Sequence, residues 1–345
     1  MKILCVGPLW RGSNAGGLFR ALSRCGCYID IVDEYYYLSF HASDLKTKVV
    51  QKLIRPLQVK EFNKAIVDSI NLFRPDVLLV YKGAFVVPET LKYAKEKGSR
   101  LVLFYPDVSM TAHGNYLPQD IPHYELVFTT KTFGIKDLEQ TFGVKNAKFI
   151  PHGFDPDIHR KLDISEEDKK AYGCDASFIG TFSPKKEKLL TALKKAMPGI
   201  NLKIWGNQWF KSTEPVIKDS IQHTAISGDM YAMAIQCSKI NLGILSEKVS
   251  GASSGDLITS RTFHIPGSAG FLLHEKNEES VQYFIQDVEA AFFDGEEDLV
   301  AQVKKYLADD AMREKVRLAG YQRALRDHSL DARAAVVIDH LKRMQ

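Results

Sequence analysis

Short apolar runs alternate with helix-period segments along this chain, and the alternation stops once and then begins again. Such a pattern builds βαβ units around a parallel sheet, and its restart points to two α/β domains. At 345 residues the chain is long enough to give each domain its own core. Residues 3–6 read as a strand, 16–24 as a helix and 28–32 as the next strand. Over 61–73, Phe62, Ile66, Ile70 and Phe73 share one helical face until Arg74-Pro75-Asp76 stops the helix before a strand at 77–80. A helix at 90–97 ends at Gly98, and strand-like runs follow at 101–105, 126–128 and 147–150. Between Pro151 and Cys174 the periodicity fails in turn-rich and charged sequence, where an inter-domain linker is expected. The alternation resumes with strands at 176–179, 202–205, 240–245 and 271–273 and helices at 185–196 and 229–237. After Asp298 the pattern is almost wholly helical, and the last helix, 331–344, gathers Ala334, Val337, Ile338 and Leu341 on one apolar face.

Composition narrows the function class. With 45% hydrophobic and 26% charged residues the chain reads as soluble and globular, and 46 basic against 42 acidic residues provide no bulk field for a nucleic-acid partner. The cysteines, Cys5, Cys25, Cys27, Cys174 and Cys237, are odd in number and scattered, which suits reduced thiols in a reducing compartment. Met-Lys leads directly into a strand with no signal-peptide pattern, and no apolar run approaches the roughly 20 residues of a membrane span. The expected location is the cytoplasm, with room for peripheral association at the inner face of a membrane.

Ligands of open parallel sheets bind beyond the carboxyl ends of the strands, so the strand-to-helix loops hold the candidate chemistry. The first, 7–17, contains Gly12, Gly16 and Gly17 but not the G-x-G-x-x-G spacing of a dinucleotide enzyme; it serves either a ligand or a tight turn. The second, Gly180-Thr181-Phe182-Ser183-Pro184-Lys185-Lys186, places a cap at Ser183 and Pro184 at the first helical position. Two lysines in a first helical turn oppose the dipole, so they are either a solvated pair or the seat of a diphosphate. Asp155-x-Asp157 lies in the turn-rich stretch without further converging carboxylates, and the histidines show no ligand spacing, so no metal is expected.

The most distinctive segment is Ser260-Arg261-Thr262-Phe263-His264-Ile265-Pro266-Gly267-Ser268-Ala269-Gly270-Phe271-Leu272-Leu273. It resembles the S-R-T-F-E-I-P-A-C-G-G-F-L-L signature of the CgeB-like (spore maturation protein-like) branch of the group-1 glycosyltransferases. Ala319-Gly320-Tyr321-Gln322-Arg323 before His328, and upstream Val127-Phe128-Thr129-Thr130-Lys131 and Phe149-Ile150-Pro151-His152-Gly153-Phe154, are similar to further stretches of that family.

The resemblance implies an α/β fold of the GT-B type, two Rossmann-like domains with parallel sheets facing a central cleft and the C-terminal helix crossing back to the N-terminal domain. Residues 1–155 would form the acceptor-side domain, 156–173 the linker, 174–328 the nucleotide-sugar-binding domain and 329–345 the returning helix. The implied activity moves a sugar from a nucleotide-diphosphate sugar, a co-substrate, to a glycan, lipid-linked or other hydroxyl acceptor, without metal or cofactor. The wider group carries an E-x7-E pair near the donor; here the spacing falls on Asp256 and His264, so both glutamates are replaced. Donor-binding candidates are Gly12, Gly17, Gly180, Thr181, Lys185, Lys186, Gly206, Asn207, Asp256, Ser260, Arg261, Thr262 and His264. Arg261 offers a planar fork for the diphosphate, and Trp209, two residues past Asn207, packs either beside the base or in the core. Asp107, directly after a strand, and His113 in the following loop are the catalytic candidates. Two alternatives share the implied fold: a nucleotide-sugar epimerase, and a non-catalytic nucleotide-sugar-binding or scaffold protein.

Overall fold

The computed structural model describes residues 1–38, 45–114 and 116–344. The chain divides into two compact units, one of Met1–Pro151, Lys248–Ser254 and Arg333–Gln345, the other of His152–Glu247 and Gly255–Ala332. In the first unit, strands β1 (Lys2–Gly7), β2 (Tyr28–Asp33), β3 (Val77–Tyr81), β4 (Arg100–Tyr105), β5 (Leu126–Thr129) and β6 (Ala147–Phe149) form one sheet in the order β2-β1-β3-β4-β5-β6. Every pairing in it is parallel. In the second, β7 (Cys174–Ile179), β8 (Leu202–Trp205), β9 (Ser238–Gly243), β10 (Leu272–Glu275) and β11 (Ala291–Phe293) pair in parallel in the order β11-β10-β9-β7-β8. Both are the α/β parallel sheets expected from the alternation. Strands covered on both faces become continuous apolar runs, as in wholly buried Ile3, Leu4, Cys5 and Val6. Strand order reverses between β1 and β3 in one unit and between β7 and β9 in the other, and these are the positions where a doubly wound sheet leaves a crevice.

Two helices depart from the sequence reading. The helix expected over 61–73 runs instead from Leu45 to Phe73, with Pro56 inside it. Its second half buries Phe62, Ile66 and Ile70 against the sheet, whereas Val49, Val50, Leu53 and Leu57 of the first half are exposed, so no inward apolar face marks that part. The charged stretch read only as linker contains the helix Glu166–Tyr172. It buries no residue; a capping box between Ser165 and Asp168, acids in its first turn and lysines in its last define it instead. None of the five cysteines is in a disulfide. In the C-terminal helix Leu330–Arg343, Ala334, Val337, Ile338 and Leu341 are buried, and His340 lies against Phe128 with ring centroids 5.8 Å apart.

The two units bury ionisable groups of opposite kind. In the first, burial pushes the carboxyls of Glu34 and Asp120 up to about 7, and neither Asp120 oxygen has a hydrogen-bond partner among the described residues. In the second, burial pushes His159 down to about 3 and His274 to about 4. In the first unit these two carboxyls therefore keep protons that an unfolded chain releases above roughly pH 4, and their contribution to stability is lost as pH rises towards 7. The second unit refuses protons that an unfolded chain takes up below about pH 6.5, and loses stability as pH falls. Asp120→Asn is expected to flatten the decline in melting temperature of the first unit between pH 5 and pH 7. Identical pH profiles for wild type and variant would place the titration elsewhere.

Candidate functional site

In the second unit the loop after β7, the loop after β9 and the helix Ser260–Gly267 meet at the carboxyl ends of β7 and β9. Arg261, in the first turn of that helix, donates from Nη2 to the Ile244 carbonyl at 2.7 Å, and its guanidinium lies 5.2 Å from the centre of the Phe178 ring. The arginine is thus held over an aromatic ring at the sheet's carboxyl end. Its Nε has no hydrogen-bond partner among the described residues. Gly180 passes so close that a Cβ there would meet Arg261 Nη1 at 2.9 Å.

Lys186 approaches the same strand ends from the helix Pro184–Ala196. Its ammonium donates to the Thr181 carbonyl and to Ser246 Oγ, each at 3.1 Å. Burial, with the charge of Arg261 nearby, lowers its pKa to about 8. Lys185 has different partners. Its Nζ is ion-paired with Glu275 at 2.5 Å, and its backbone N–H donates to Glu247 at 2.8 Å. Carboxylates already compensate this lysine and helix end, so a bound anion is not needed to justify Lys185. Ser183 stands at the N-cap position, but its side chain makes no capping hydrogen bond.

Gly206 and Gly180 meet back to back. A Cβ on Gly206 would lie 2.0 Å from the Gly180 oxygen, and the backbone there has φ +140°. The same Gly180 oxygen accepts from the indole N–H of Trp209 at 2.9 Å, while Asn207 is exposed and takes the Phe182 N–H on its carbonyl. Trp209 is buried between Phe178 and Phe182 and belongs to the core, which settles its two readings in favour of packing. Gly206→Ala is expected to destabilise the protein by about 2 kcal/mol or more, read as a lower denaturant midpoint, because strain and a backbone clash combine.

Behind Arg261 the helix turns inward. Thr262 Oγ1 and His274 Nε2 are 2.8 Å apart, and His274 Nδ1 lies 2.6 Å from the Glu275 carbonyl, so a neutral His274 donates to that carbonyl and accepts from the threonine hydroxyl. His264 stacks on His159 with centroids 3.8 Å apart and meets the edge of Tyr231 at 5.9 Å. Burial first, then His159, holds its pKa well below the usual range. The second position of the E-x7-E spacing is thus packed into an aromatic stack. Asp256 is half-buried and contributes its charge to both Lys186 and Arg261, and Ser260 Oγ lies 3.4 Å from His152 Nδ1.

The remaining candidates lie in the first unit. Gly12 adopts φ +92°, a turn that requires glycine, and Gly17 is buried in the helix Asn14–Arg24, capped by Ser13. Asp107 follows β4, and its Oδ2 lies 2.8 Å from His113 Nε2 and 2.9 Å from Lys82 Nζ. Burial works to raise the Asp107 carboxyl, but the hydrogen bond with His113 and the charge of Lys82 outweigh it and hold it far below the usual range. The Tyr105 hydroxyl donates to the Ser109 carbonyl and fixes the start of this loop. Lys82, at the end of β3, was not among the sequence candidates. A charged residue followed by Gly83, directly after the apolar strand Val77–Tyr81, was the available signal. Glu247, Glu275 and Phe178 were missed as well, because their roles arise only from the partners the fold gives them. Among the described residues no group of three or more His, Cys, Asp or Glu converges as metal ligands.

Residues 185–339 match the family described as glycosyl transferase-like. No curated protein sequence matches the chain. Among solved structures, sucrose-phosphate synthase from Thermosynechococcus elongatus superposes with a TM-score of 0.67 at 11% identity, covering 100% of this chain and 99% of that one. A glycosyltransferase from Rickettsia africae gives 0.65 at 11% identity, covering 99% and 98%. Anabaena HepE in complex with UDP and glucose gives 0.65 at 12% identity, covering 99% of each chain. The chain therefore joins glycosyl transferase-like sequence across residues 185–339 to the two parallel-sheet α/β domains of the GT-B glycosyltransferases.

Proposed function

We propose that the protein transfers a sugar from a nucleotide-diphosphate sugar to a hydroxyl acceptor, as a group-1 glycosyltransferase of the CgeB-like branch. The observation that carries this reading is the pair Arg261 and Lys186, two cations converging beyond the strand-order reversal of β7 and β9, within the stretch that matches glycosyl transferase-like sequence. HepE, of the same fold, is seen with UDP and glucose. A diphosphate leaving group needs charge stabilisation that grows as the glycosidic bond breaks, and fixed cations supply it without a metal. The acceptor hydroxyl must lose a proton as its oxygen bonds the anomeric carbon. His113, oriented by Asp107, is the group to take it. A glycan or lipid-linked alcohol would serve as acceptor.

A screen of nucleoside diphosphates and their sugars by thermal shift tests the donor site, since a ligand of the folded state raises the melting temperature. One diphosphate is expected to stand out, and its affinity is expected to fall as pH rises through about 8, where Lys186 loses its proton. No shift from any nucleotide in folded protein would sink the assignment. The aromatic burial of His264 supports a second reading, a nucleotide-sugar-binding protein without turnover. Binding without sugar transfer to any hydroxyl acceptor would favour that reading, whereas transfer excludes it.

A further inference from the structure

The first half of the helix Leu45–Phe73 carries large apolar side chains that face solvent. Val49 and Val50 are each 54% exposed, Leu53 74%, Ile54 39% and Leu57 66%. At about 100° per residue these positions fall within one stripe roughly 140° wide, on the side opposite buried Val59, Phe62 and Ile66. Residues 45–60 contain Lys46, Lys48, Lys52, Arg55 and Lys60 and not a single acid. The two turns that carry the stripe also wall, through Gln51, Lys52 and Arg55, a cavity of about 590 Å³ shared with Phe85 and Tyr116.

We infer that this segment docks the protein on an anionic lipid bilayer, its apolar stripe lying in the headgroup boundary and its cations among the headgroups. A contiguous apolar stripe exposed to water marks an interaction surface, and a helix with large apolar residues on one side and only basic charge is the kind that lies in a membrane interface. A second copy of the chain would cover the apolar atoms equally well, but it would bring the same acid-free, basic segment against this one. An anionic surface satisfies both features at once. Long lysine stems let Lys52 and Lys60 reach headgroups while the stripe is immersed. The inference does not depend on the donor site in the second unit.

Co-flotation with vesicles tests it. Full-length protein is expected to bind vesicles containing phosphatidylserine, to bind pure phosphatidylcholine at least tenfold less, and to be released by salt. Leu53→Ser with Leu57→Ser should abolish binding, and Lys52→Gln with Lys60→Gln should weaken it by on the order of tenfold or more. Because all four side chains are exposed, melting temperatures should remain those of the wild type, which separates lost docking from lost folding. Absence of binding to anionic vesicles by folded protein overturns the inference. So does undiminished binding by the Leu53/Leu57 variant, and so does a stripe-dependent dimer in sedimentation without vesicle binding.

Discussion

Arg261→Ala is expected to abolish the rise in melting temperature that a nucleoside diphosphate gives the wild type, and to lower turnover by about 10²–10³-fold. The size follows from the geometry. The guanidinium is immobilised between the Phe178 ring and the Ile244 carbonyl, so its remaining donors are aimed before any ligand arrives. Removing it leaves Lys186 as the one cation of the pair, its pKa still pressed down by burial. Arg261→Lys restores charge without the planar fork and should recover only part of the binding. The loss of one hydrogen bond to Ile244 costs about 1–2 kcal/mol of stability, so the unliganded variant should melt a few degrees lower and remain folded. A normal nucleotide-dependent shift in Arg261→Ala would move the diphosphate away from the β7/β9 crevice.

The second large effect is expected in the first unit. His113→Ala should lower kcat by about 10²–10⁴-fold while leaving the nucleotide-induced thermal shift intact, because the donor residues are elsewhere. Asp107→Asn tests the same arrangement from the other side. It keeps the size of the side chain but removes the charge that stabilises an imidazolium, and it leaves Lys82 without its counter-ion. If His113 accepts the acceptor proton, both variants lose kcat and neither loses donor binding. Wild-type turnover in His113→Ala would exclude the histidine as base and leave the dyad a structural tie for the loop after β4.

Much of this architecture can be read from the chain because parallel strands buried on both faces must be written as apolar runs, as at Leu78, Leu79 and Val80. The elements that escaped are those stabilised by something other than an inward apolar face. Helix Glu166–Tyr172 rests on its cap and on the order of its charges, and the first half of Leu45–Phe73 turns its apolar residues to solvent. The site divides in the same manner. Gly180, Gly206 and Arg261 stand at strand ends or helix starts, where local pattern exposes them. The partner that fixes Lys185, Glu275, and the one that buries His264, His159, come from distant segments with no local signature. His264 therefore reads as a donor-binding candidate in sequence and as half of an aromatic stack in the fold.

The allocation of the chain between its units has a consequence for synthesis. The first unit is completed by Lys248–Ser254 and Arg333–Gln345, yet both emerge from the ribosome after the start of the second unit, and the latter after all of it. At about 5–20 residues per second, residues 152–332 take roughly 10–35 s to make, and for that interval the nascent first unit lacks the segment that covers Phe128 through His340. Its sheet must wait, partly uncovered, while its neighbour can already close. A nascent chain stalled before residue 333 should accordingly present an incomplete first unit to chaperones and proteases, and a frameshift within the codons for residues 333–345 should damage the unit of Met1–Pro151 more than the sequence just ahead of it.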